Sequence, residues 1–144
     1  MPVMRETFTI DRSPEKVFAA ITAFDRIPEW IPSIKDAYQV SPGAPAVGTT
    51  FAEEFRFLGF QGKIIGTITA LEPRRALVYE YAAGPIPGSW SYRLSGDSNV
   101  TRVDFMLETP SRGLFSTSNP AVFALVKREI RKNLASLKSW IERD

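Results

Sequence analysis

The sequence predicts an α+β fold in the order β-α-α-β6-α, with one antiparallel sheet of seven strands and a long C-terminal helix. Between residues 34 and 109 the sequence consists of short apolar-rich runs separated by turn residues, which is typical of consecutive strands. From residue 120 onward, apolar residues recur every three or four positions, which indicates a helix with one apolar face. One strand and two short helices precede these two regions.

The first strand and helix come from the stretch FTIDRSPEKVFAAITAF. Phe8 and Ile10 alternate with polar residues, which is the period-two pattern of a half-buried strand. Ser13 can cap a helix that starts at Pro14, because the serine hydroxyl accepts a free backbone N–H and proline is tolerated at the first helical position. The helix is amphipathic, since its apolar residues recur at helical spacing.

Two prolines limit the second helical segment. Pro28 and Pro32 each lack a backbone N–H and restrict the residue before them. We therefore predict about one turn for residues 25–32, with Ile27, Trp30 and Ile31 available to pack.

Six strands are predicted after this point, at residues 34–40, 48–58, 61–71, 76–82, 89–95 and 100–109. The stretches SPGAPAVG, LGFQG, EPRR, AGPIPG and SGDSN separate them and are rich in turn formers. Parallel strands need crossovers of a dozen residues or more, so these short links favour an antiparallel meander.

The last helix is predicted to begin at Pro120, with Asn119 as its cap. Its apolar stripe comprises Phe123, Val126, Ile130, Leu134, Leu137 and Ile141. About 23 residues at roughly 1.5 Å each give a length of about 35 Å, enough to cross a sheet. An amphipathic helix must bury its stripe, and the strands offer the only large surface for that.

Composition narrows the function classes. The 144 residues fit one domain, 1–144, and the formal charge of +2 is too small to suggest a nucleic-acid partner. Without cysteine and histidine there are no disulfides, thiolate sites, serine triads or zinc hydrolase sites. Because the usual metal ligands are missing, we expect no metal. No phosphate-binding glycine motif occurs, so we also expect no nucleotide and no other cofactor. The N-terminus has no apolar signal segment, which predicts a cytoplasmic protein.

The phrases SPEKVFAAI, PEW, LEPRRALVYE and TRVDFMLE, with the order of elements, resemble the START-like/Bet v 1-like helix-grip superfamily, specifically its polyketide cyclase/dehydrase and lipid-transport group. The resemblance covers nearly the whole chain. It implies a curved seven-stranded sheet wrapped around the C-terminal helix, with a hydrophobic cavity between them and residues 14–32 closing one end. It does not transfer a reaction, because related sheets bind sterols, phospholipids, quinones, plant hormones, polyketides or other proteins.

Strand 48–58 carries the main candidate for chemistry. Strand alternation places four side chains on one face, namely Phe51, Glu53, Phe55 and Phe57. If the phenylalanines point into the cavity, Glu53 does too, and its raised pKa would suit it to exchange protons or to pair with a ligand. The alternative is a bulge or a solvent-facing strand end.

Four aromatic side chains on the following strands share one parity: Tyr79, Tyr81, Trp90 and Tyr92. They suit a pocket for a flat or greasy, partly polar ligand, and they suit an ordinary core equally well. Phe105 is assigned to the core. The sequence does not decide which side chains of strand 61–71 face the cavity. If Lys63 faces inward, it could pair with Glu53; the alternative is a solvated lysine near the start of the strand.

Two loops and two further aromatic residues complete the predicted ligand-binding set. Ile86 in AGPIPG, and Leu114 with Phe115 in SRGLFSTS, are apolar loop tips that either gate the cavity or plug the fold. Trp30 is expected at the rim. Phe123, at the start of the last helix, is assigned to the same site.

Three functions remain open on sequence grounds. The first is a binder of a small hydrophobic or aromatic molecule such as a lipid, isoprenoid or polyketide. The second is a cofactor-independent cyclase or dehydratase that uses Glu53 and a tyrosine. The third is an interaction module with a filled cavity.

The basic run KREIRK, residues 127–132, is either solvated helix surface or a site of transient contact with an anionic membrane.

Overall fold

The computed structural model describes residues 3–57, 59–84, 86–110 and 119–143, and for Phe57 the backbone only. Strands β1 to β7 span Val3–Ile10, Ile34–Gln39, Thr50–Phe57, Phe60–Glu72, Ala76–Tyr81, Gly88–Gly96 and Thr101–Glu108. Helix α1 spans Pro14–Ile21, a 3₁₀ helix spans Phe24–Glu29, and helix α2 spans Pro120–Glu142. The predicted order of elements is confirmed, and the predicted strands 34–40 to 100–109 end within two residues of the observed ones.

The seven strands form one antiparallel sheet in the order β1-β7-β6-β5-β4-β3-β2. β2 to β7 therefore pair with their neighbours in sequence, as the short links predict. β1 begins at Val3, earlier than the alternation at Phe8 and Ile10 suggests, because it pairs with β7 along its whole length. β1 and β2 lie at opposite edges, so the chain between them has to cross the sheet.

That crossing is made by α1 and the 3₁₀ helix. The Ser13 Oγ accepts a hydrogen bond from the Lys16 backbone N–H at 3.2 Å, with Pro14 at the first helical position. Thr22 ends the helix. Pro28 lies inside the 3₁₀ helix, a short segment that replaces any continuation of α1.

Helix α2 begins where Asn119 caps it, with the Asn119 Oδ1 accepting from the Ala121 N–H at 2.9 Å. It has 23 residues and is about 35 Å long. Its buried stripe consists of Val126, Ile130, Leu134, Leu137 and Ile141. Among the helices of the described residues, none has the length and apolarity needed to span a membrane.

Two irregularities interrupt the regular pairing of the sheet. The register shifts between Ile34 and Asp36 in β2 and between Ile68 and Ala70 in β4, and such bulges increase the local bend and twist of a strand. The inner face of the sheet then packs around the helix, with a core that includes Phe51, Ile68, Leu77, Val103 and Leu107. This is the α+β helix-grip architecture that the sequence resembles.

Candidate ligand-binding cavity

A cavity of about 120 Å³ lies between the inner face of the sheet and α2; we call it the central cavity. Six strands line it, through Ile34, Phe51, Glu53, Phe55, Ile64, Tyr79, Tyr81, Trp90, Tyr92 and Phe105. The segments before β2 add Ile21, Phe24, Ile27, Trp30, Ile31 and Ser33. Helix α2 and the loop before β6 add Glu129, Ile130, Asn133, Leu134 and Ile86. The wall is thus mostly aromatic and aliphatic.

The regular pairing of β3 turns Glu53 into this cavity. β3 and β4 stay in unbroken register from Thr50 to Phe57, so the strand has no bulge at Glu53. Glu53 is 3% exposed, whereas its neighbour Glu54 is exposed on the opposite face. Strand alternation therefore places the carboxyl group inside, together with the Phe51 ring.

The Glu53 carboxyl group has one polar partner among the described residues, the Tyr81 hydroxyl, which donates a hydrogen bond to Oε1. No lysine or arginine is among the described side chains that line the cavity. Burial therefore raises the pKa of Glu53 to about 8. The group is therefore mostly protonated at neutral pH.

Tyr79 and Tyr92 form a second polar pair in the same wall. Both are buried, and each hydroxyl is near enough to influence the pKa of the other. Burial raises the pKa of both phenols far above the usual range, so they stay neutral. Trp90, which is half-buried, stacks on Tyr79 with 6.3 Å between ring centroids.

Trp30 is not at the rim, which corrects the sequence prediction. It is 5% exposed and lines the central cavity. The 3₁₀ helix ends at Glu29 and turns Trp30 inward as its C-terminal cap residue. The same segment buries Phe24, whose ring stacks on Phe51 with centroids 4.3 Å apart. The short helices therefore form an inner wall rather than an exposed edge.

Three buried polar atoms in side chains that line the cavity lack a hydrogen-bond partner among the described residues. They are the indole Nε1 atoms of Trp30 and Trp90 and the Oδ1 atom of Asn133. An unpaired buried polar group costs about 1–3 kcal/mol. Native proteins seldom leave such groups unpaired unless water, an ion or a ligand serves them.

Sequence reasoning missed the contribution of α2 apart from its apolar stripe. Asn133 lies three residues after Ile130 and four before Leu137, so it occupies a position within the stripe. A polar residue at such a position was the available signal. Glu129, one turn earlier on the helix, lines the cavity as well.

The remaining predicted site residues fall into three groups. Ile86 and Phe55 line the cavity, as Trp90 and the three tyrosines do. Phe123 packs against the core and is not among the lining side chains. Leu114, Phe115 and the Phe57 side chain lie outside the described residues.

The facing of β4, which the sequence left open, is decided by its pairing with β3. Ile64 pairs with Glu53 and lines the cavity, whereas Lys63 is exposed on the other face. The Lys63 Nζ lies 5.3 Å from the centroid of the Tyr38 ring. A pair between Lys63 and Glu53 is therefore excluded.

A second hollow of about 190 Å³, the β1–α2 groove, lies beside α2 and is lined by Glu6, Thr7, Phe8, Arg131, Leu134, Ala135 and Lys138. Its charges are paired. The Arg131 Nε donates to the Glu6 Oε1 at 2.6 Å, and the Lys138 Nζ donates to the Glu142 Oε2 at 2.8 Å. Part of the basic run 127–132 is thus engaged in an ion pair at the surface.

Within the described part of the chain, no three or more acidic side chains come together as metal ligands would. The described lining side chains therefore offer the central cavity two carboxyl groups, three phenols, one serine hydroxyl, two indoles and one amide in an apolar enclosure.

Comparison with protein families gives a match over residues 1–142 to the model described as polyketide cyclase / dehydrase and lipid transport. A comparison with curated proteins gives no match.

Solved structures resemble the whole chain. The Aha1 dimer from Colwellia psychrerythraea is 27% identical, with a TM-score of 0.71 over 99% of this chain and 97% of that one. A START superfamily protein from Mycobacterium smegmatis is 15% identical, with a TM-score of 0.78 over 98% and 97%. The Zhui aromatase/cyclase from Streptomyces sp. R1128 is 16% identical, with a TM-score of 0.76 over 99% and 94%. At the two lower identities, the likeness shows the fold.

Proposed function

Because this chain belongs to the polyketide cyclase / dehydrase and lipid transport family, we propose that its central cavity binds a small hydrophobic or aromatic molecule non-covalently. The chain would act as one START-like ligand-binding domain over residues 1–144. The main support is an aromatic enclosure that holds an uncompensated carboxyl group, Glu53, with no basic side chain among the described lining residues. A filled core has no need of a desolvated carboxyl group.

The volume limits the size of the ligand. The cavity measures about 120 Å³, smaller than the several hundred cubic ångströms typical of ligand pockets. An apolar cavity of roughly 150 Å³ is known to hold one benzene molecule. The ligand, or the part of a longer lipid or polyketide that enters, is thus about one ring or one branched isoprenoid unit.

Binding energy would come mainly from apolar surface removed from water, at about 25 cal/mol per Å² before the costs of ordering. Most of the described lining side chains are buried and the rest are half-buried, so little ordering of the protein is required. The proposed binding requires no metal, cofactor or nucleic acid. A cytoplasmic location and at most transient membrane contact remain predictions.

Mass spectrometry of gently desalted protein tests the proposal. A bound molecule that is released on unfolding is the expected result. Ile130→Phe should abolish binding because the larger side chain fills the void next to α2. Leu125→Phe, on the same helix at a side chain that is 39% exposed, is the matched control and should retain the ligand. Equal ligand content in both variants would contradict a site in the central cavity.

A second candidate is proton-transfer catalysis, as in a cyclase or dehydratase. The observation in its favour is the Tyr81–Glu53 hydrogen bond, with the pKa of Glu53 near 8. A carboxyl group with a pKa near the working pH is suited to general acid–base catalysis. Loss of turnover with retained binding in Glu53→Gln would support this candidate, and unchanged turnover would remove it.

A third candidate is a protein-interaction module. The cavity, at about 120 Å³, is small enough to be compatible with such a module as well as with a ligand binder. The 27% identical solved structure is described as a dimer. Ile130→Phe discriminates here too, because an interaction module that uses its outer surface should tolerate a filled cavity.

A further inference from the structure

The central cavity has an unbalanced set of charged side chains. Glu53 on β3 and Glu129 on α2 both line it, and the described lining residues include neither lysine nor arginine. The sequence contains no histidine. Among the described lining side chains, a ligand that enters therefore meets two acidic groups and no basic one, an arrangement that disfavours anions and favours cations.

The acceptor atoms point to the same conclusion. The Glu53 Oε1 accepts from Tyr81, and the Oε2 atom accepts from no described residue. The Asn133 Oδ1, across the cavity on α2, is buried without a donor. The Glu53 Oε2 and the Asn133 Oδ1 have no N–H or O–H partner among the described residues, so they are complementary to a ligand group that donates several hydrogen bonds.

Aromatic rings provide the rest of the enclosure. Four lining rings form a connected series of contacts: Phe51, Tyr79, Tyr81 and Trp90. The ring centroids are 5.3 Å apart for Phe51–Tyr79, 6.3 Å for Tyr79–Trp90 and 5.7 Å for Tyr81–Trp90. Ring faces carry negative electrostatic potential and attract cations, at about 2 kcal/mol or more where the site is desolvated. The same wall also suits an apolar ring on the ligand.

We propose that the central cavity selects a small organic cation: a primary or secondary amine on a body about the size of one ring, whose ammonium group donates to Glu53 and Asn133. This inference rests on the proposed binding function and names its ligand class. It distinguishes this cavity from one that takes a neutral hydrocarbon or a carboxylic acid.

Proton balance gives the proposal a signature. With its pKa raised to about 8 by burial, Glu53 is mostly protonated at neutral pH before a ligand binds. When a protonated amine binds, the carboxyl O–H bond breaks, the proton passes to solvent, and the carboxylate that remains pairs with the ammonium group. Binding below the pKa of Glu53 should thus release about one proton per amine.

No other group near Glu53 accounts for that proton as simply. The titratable side chains that line the cavity around it are Tyr79 and Tyr81 on β5, Tyr92 on β6 and Glu129 on α2. The pKa values of Tyr79 and Tyr92 are raised by burial, so neither gives up a proton near neutral pH. The 3₁₀ helix, β2 and β4 contribute only Phe24, Ile27, Ile34 and Ile64.

The two unpaired indole N–H groups refine the ligand class. Trp30 and Trp90 are donors and an ammonium group offers them nothing to bind. An oxygen atom elsewhere on the same ligand would serve one of them. Amines that also carry a hydroxyl or ether oxygen should therefore bind more tightly than plain amines of the same size.

The test uses three probes that share one ring and differ in charge: benzylamine, benzyl alcohol and benzoate. Calorimetry at pH 6, 7 and 8 on the full chain measures each affinity. We expect benzylamine to bind at least about tenfold more tightly than benzyl alcohol at pH 8, and benzoate to bind most weakly. Benzylamine affinity should rise by up to about tenfold per pH unit over this range, because a proton leaves Glu53.

Proton release is measured by repeating the titration at pH 6.5 in buffers of different ionisation enthalpy. About one proton per benzylamine is expected for the unaltered protein. Glu53→Gln should remove the proton release and the preference for the amine, while Glu54→Gln, on the outer face of the same strand, should leave both unchanged. Glu129→Gln is a second variant and should weaken benzylamine without abolishing proton release.

The outcomes separate this inference from the proposed function. If benzyl alcohol binds as tightly as benzylamine, or if no proton is released, the amine class is wrong and a neutral-ligand binder remains. If none of the probes binds and the co-purified molecule is neutral or anionic, the amine class is again wrong. If no probe binds and no molecule co-purifies, both proposals fail together.

Discussion

The central cavity and the β1–α2 groove both lie against helix α2, and Leu134 lines both. They differ in whether their acidic side chains have basic partners. In the groove, acidic and basic side chains pair with each other, as Glu6 and Arg131 do at 2.6 Å. In the central cavity the Glu53 carboxyl has only the Tyr81 hydroxyl as a polar partner among the described residues. One hollow neutralises its charges and the other does not.

The acidic side chains record this difference in their pKa values. Near the groove, the Asp11 backbone N–H and the Lys138 ammonium group lower the pKa of Glu142. In the cavity, burial raises the pKa of Glu53 to about 8. Solvated ion pairs of the first kind contribute little to stability, whereas a desolvated carboxyl is costly. A cost of this kind at an enclosed site suggests a functional role.

The largest expected effect is the pH dependence of stability due to Glu53. The folded state holds the carboxyl proton more tightly than the unfolded chain, because the pKa rises from 4.5 to about 8 on folding. The contribution of Glu53 to stability should therefore be constant below about pH 4.5 and fall between pH 4.5 and 8 by about 1.4 kcal/mol per pH unit, or about 5 kcal/mol in all. Urea denaturation across this range measures it.

Glu53→Gln isolates that contribution, since the variant cannot ionise at this position and should lack the decline. The stability of the variant relative to the unaltered protein should therefore increase between pH 4 and pH 8. Glu54→Gln removes an exposed carboxylate from the outer face of β3 and should keep the decline. If the two variants show the same pH dependence, the contrast between the cavity and the solvated surface is not real.

The next largest effect is expected for Phe51→Ala. Phe51 is 1% exposed, stacks on Phe24 and lies over Gly66, so truncation should cost about 3–5 kcal/mol and enlarge the cavity. Phe8→Ala, at a half-buried ring in the groove, should cost less. The free energies of unfolding from denaturant titrations test this order, and a larger loss at Phe8 would reverse it.

Tyr81→Phe should have an intermediate effect, about 1–2 kcal/mol, because the variant leaves the buried Glu53 without its donor. Loss of a hydrogen bond to the charged form should also raise the pKa of Glu53 further. NMR titration of the Glu53 carboxyl carbon checks the direction. An unchanged or lowered pKa would show that the Tyr81 hydroxyl does not stabilise the carboxylate.

The smallest effect is expected in the groove. A double-mutant cycle on Glu6→Gln and Arg131→Gln should give a coupling energy below about 1 kcal/mol, since the Arg131 side chain is 59% exposed. The coupling should shrink further in 1 M salt, where charges are screened over about 3 Å. A coupling of several kcal/mol that persists in salt would mean that the Glu6–Arg131 ion pair is shielded from solvent, which would contradict the contrast with the cavity.

Local patterns in the sequence are strong enough to predict most of the fold. The alternation in β3 placed Phe51 and Glu53 on one face, and the spacing from Val126 to Ile141 defined the buried stripe of α2. The Ser13 and Asn119 caps marked both helix starts. These features depend on periodicity and on neighbours within a few residues, so they can be predicted without the tertiary structure.

Other features depend on which distant elements meet. The inward turn of Trp30, the facing of β4 and the place of Asn133 in the cavity wall come from contacts between segments far apart in the sequence. The cavity volume depends on how far the sheet curves around α2, which is set by packing rather than by any local pattern. Side-chain alternation along a strand follows from the sequence, so an inward Glu53 could be predicted. The separation of the sheet and the helix does not follow from any local pattern. The absence of a basic partner for Glu53 among the described lining side chains could therefore be seen only in the tertiary structure.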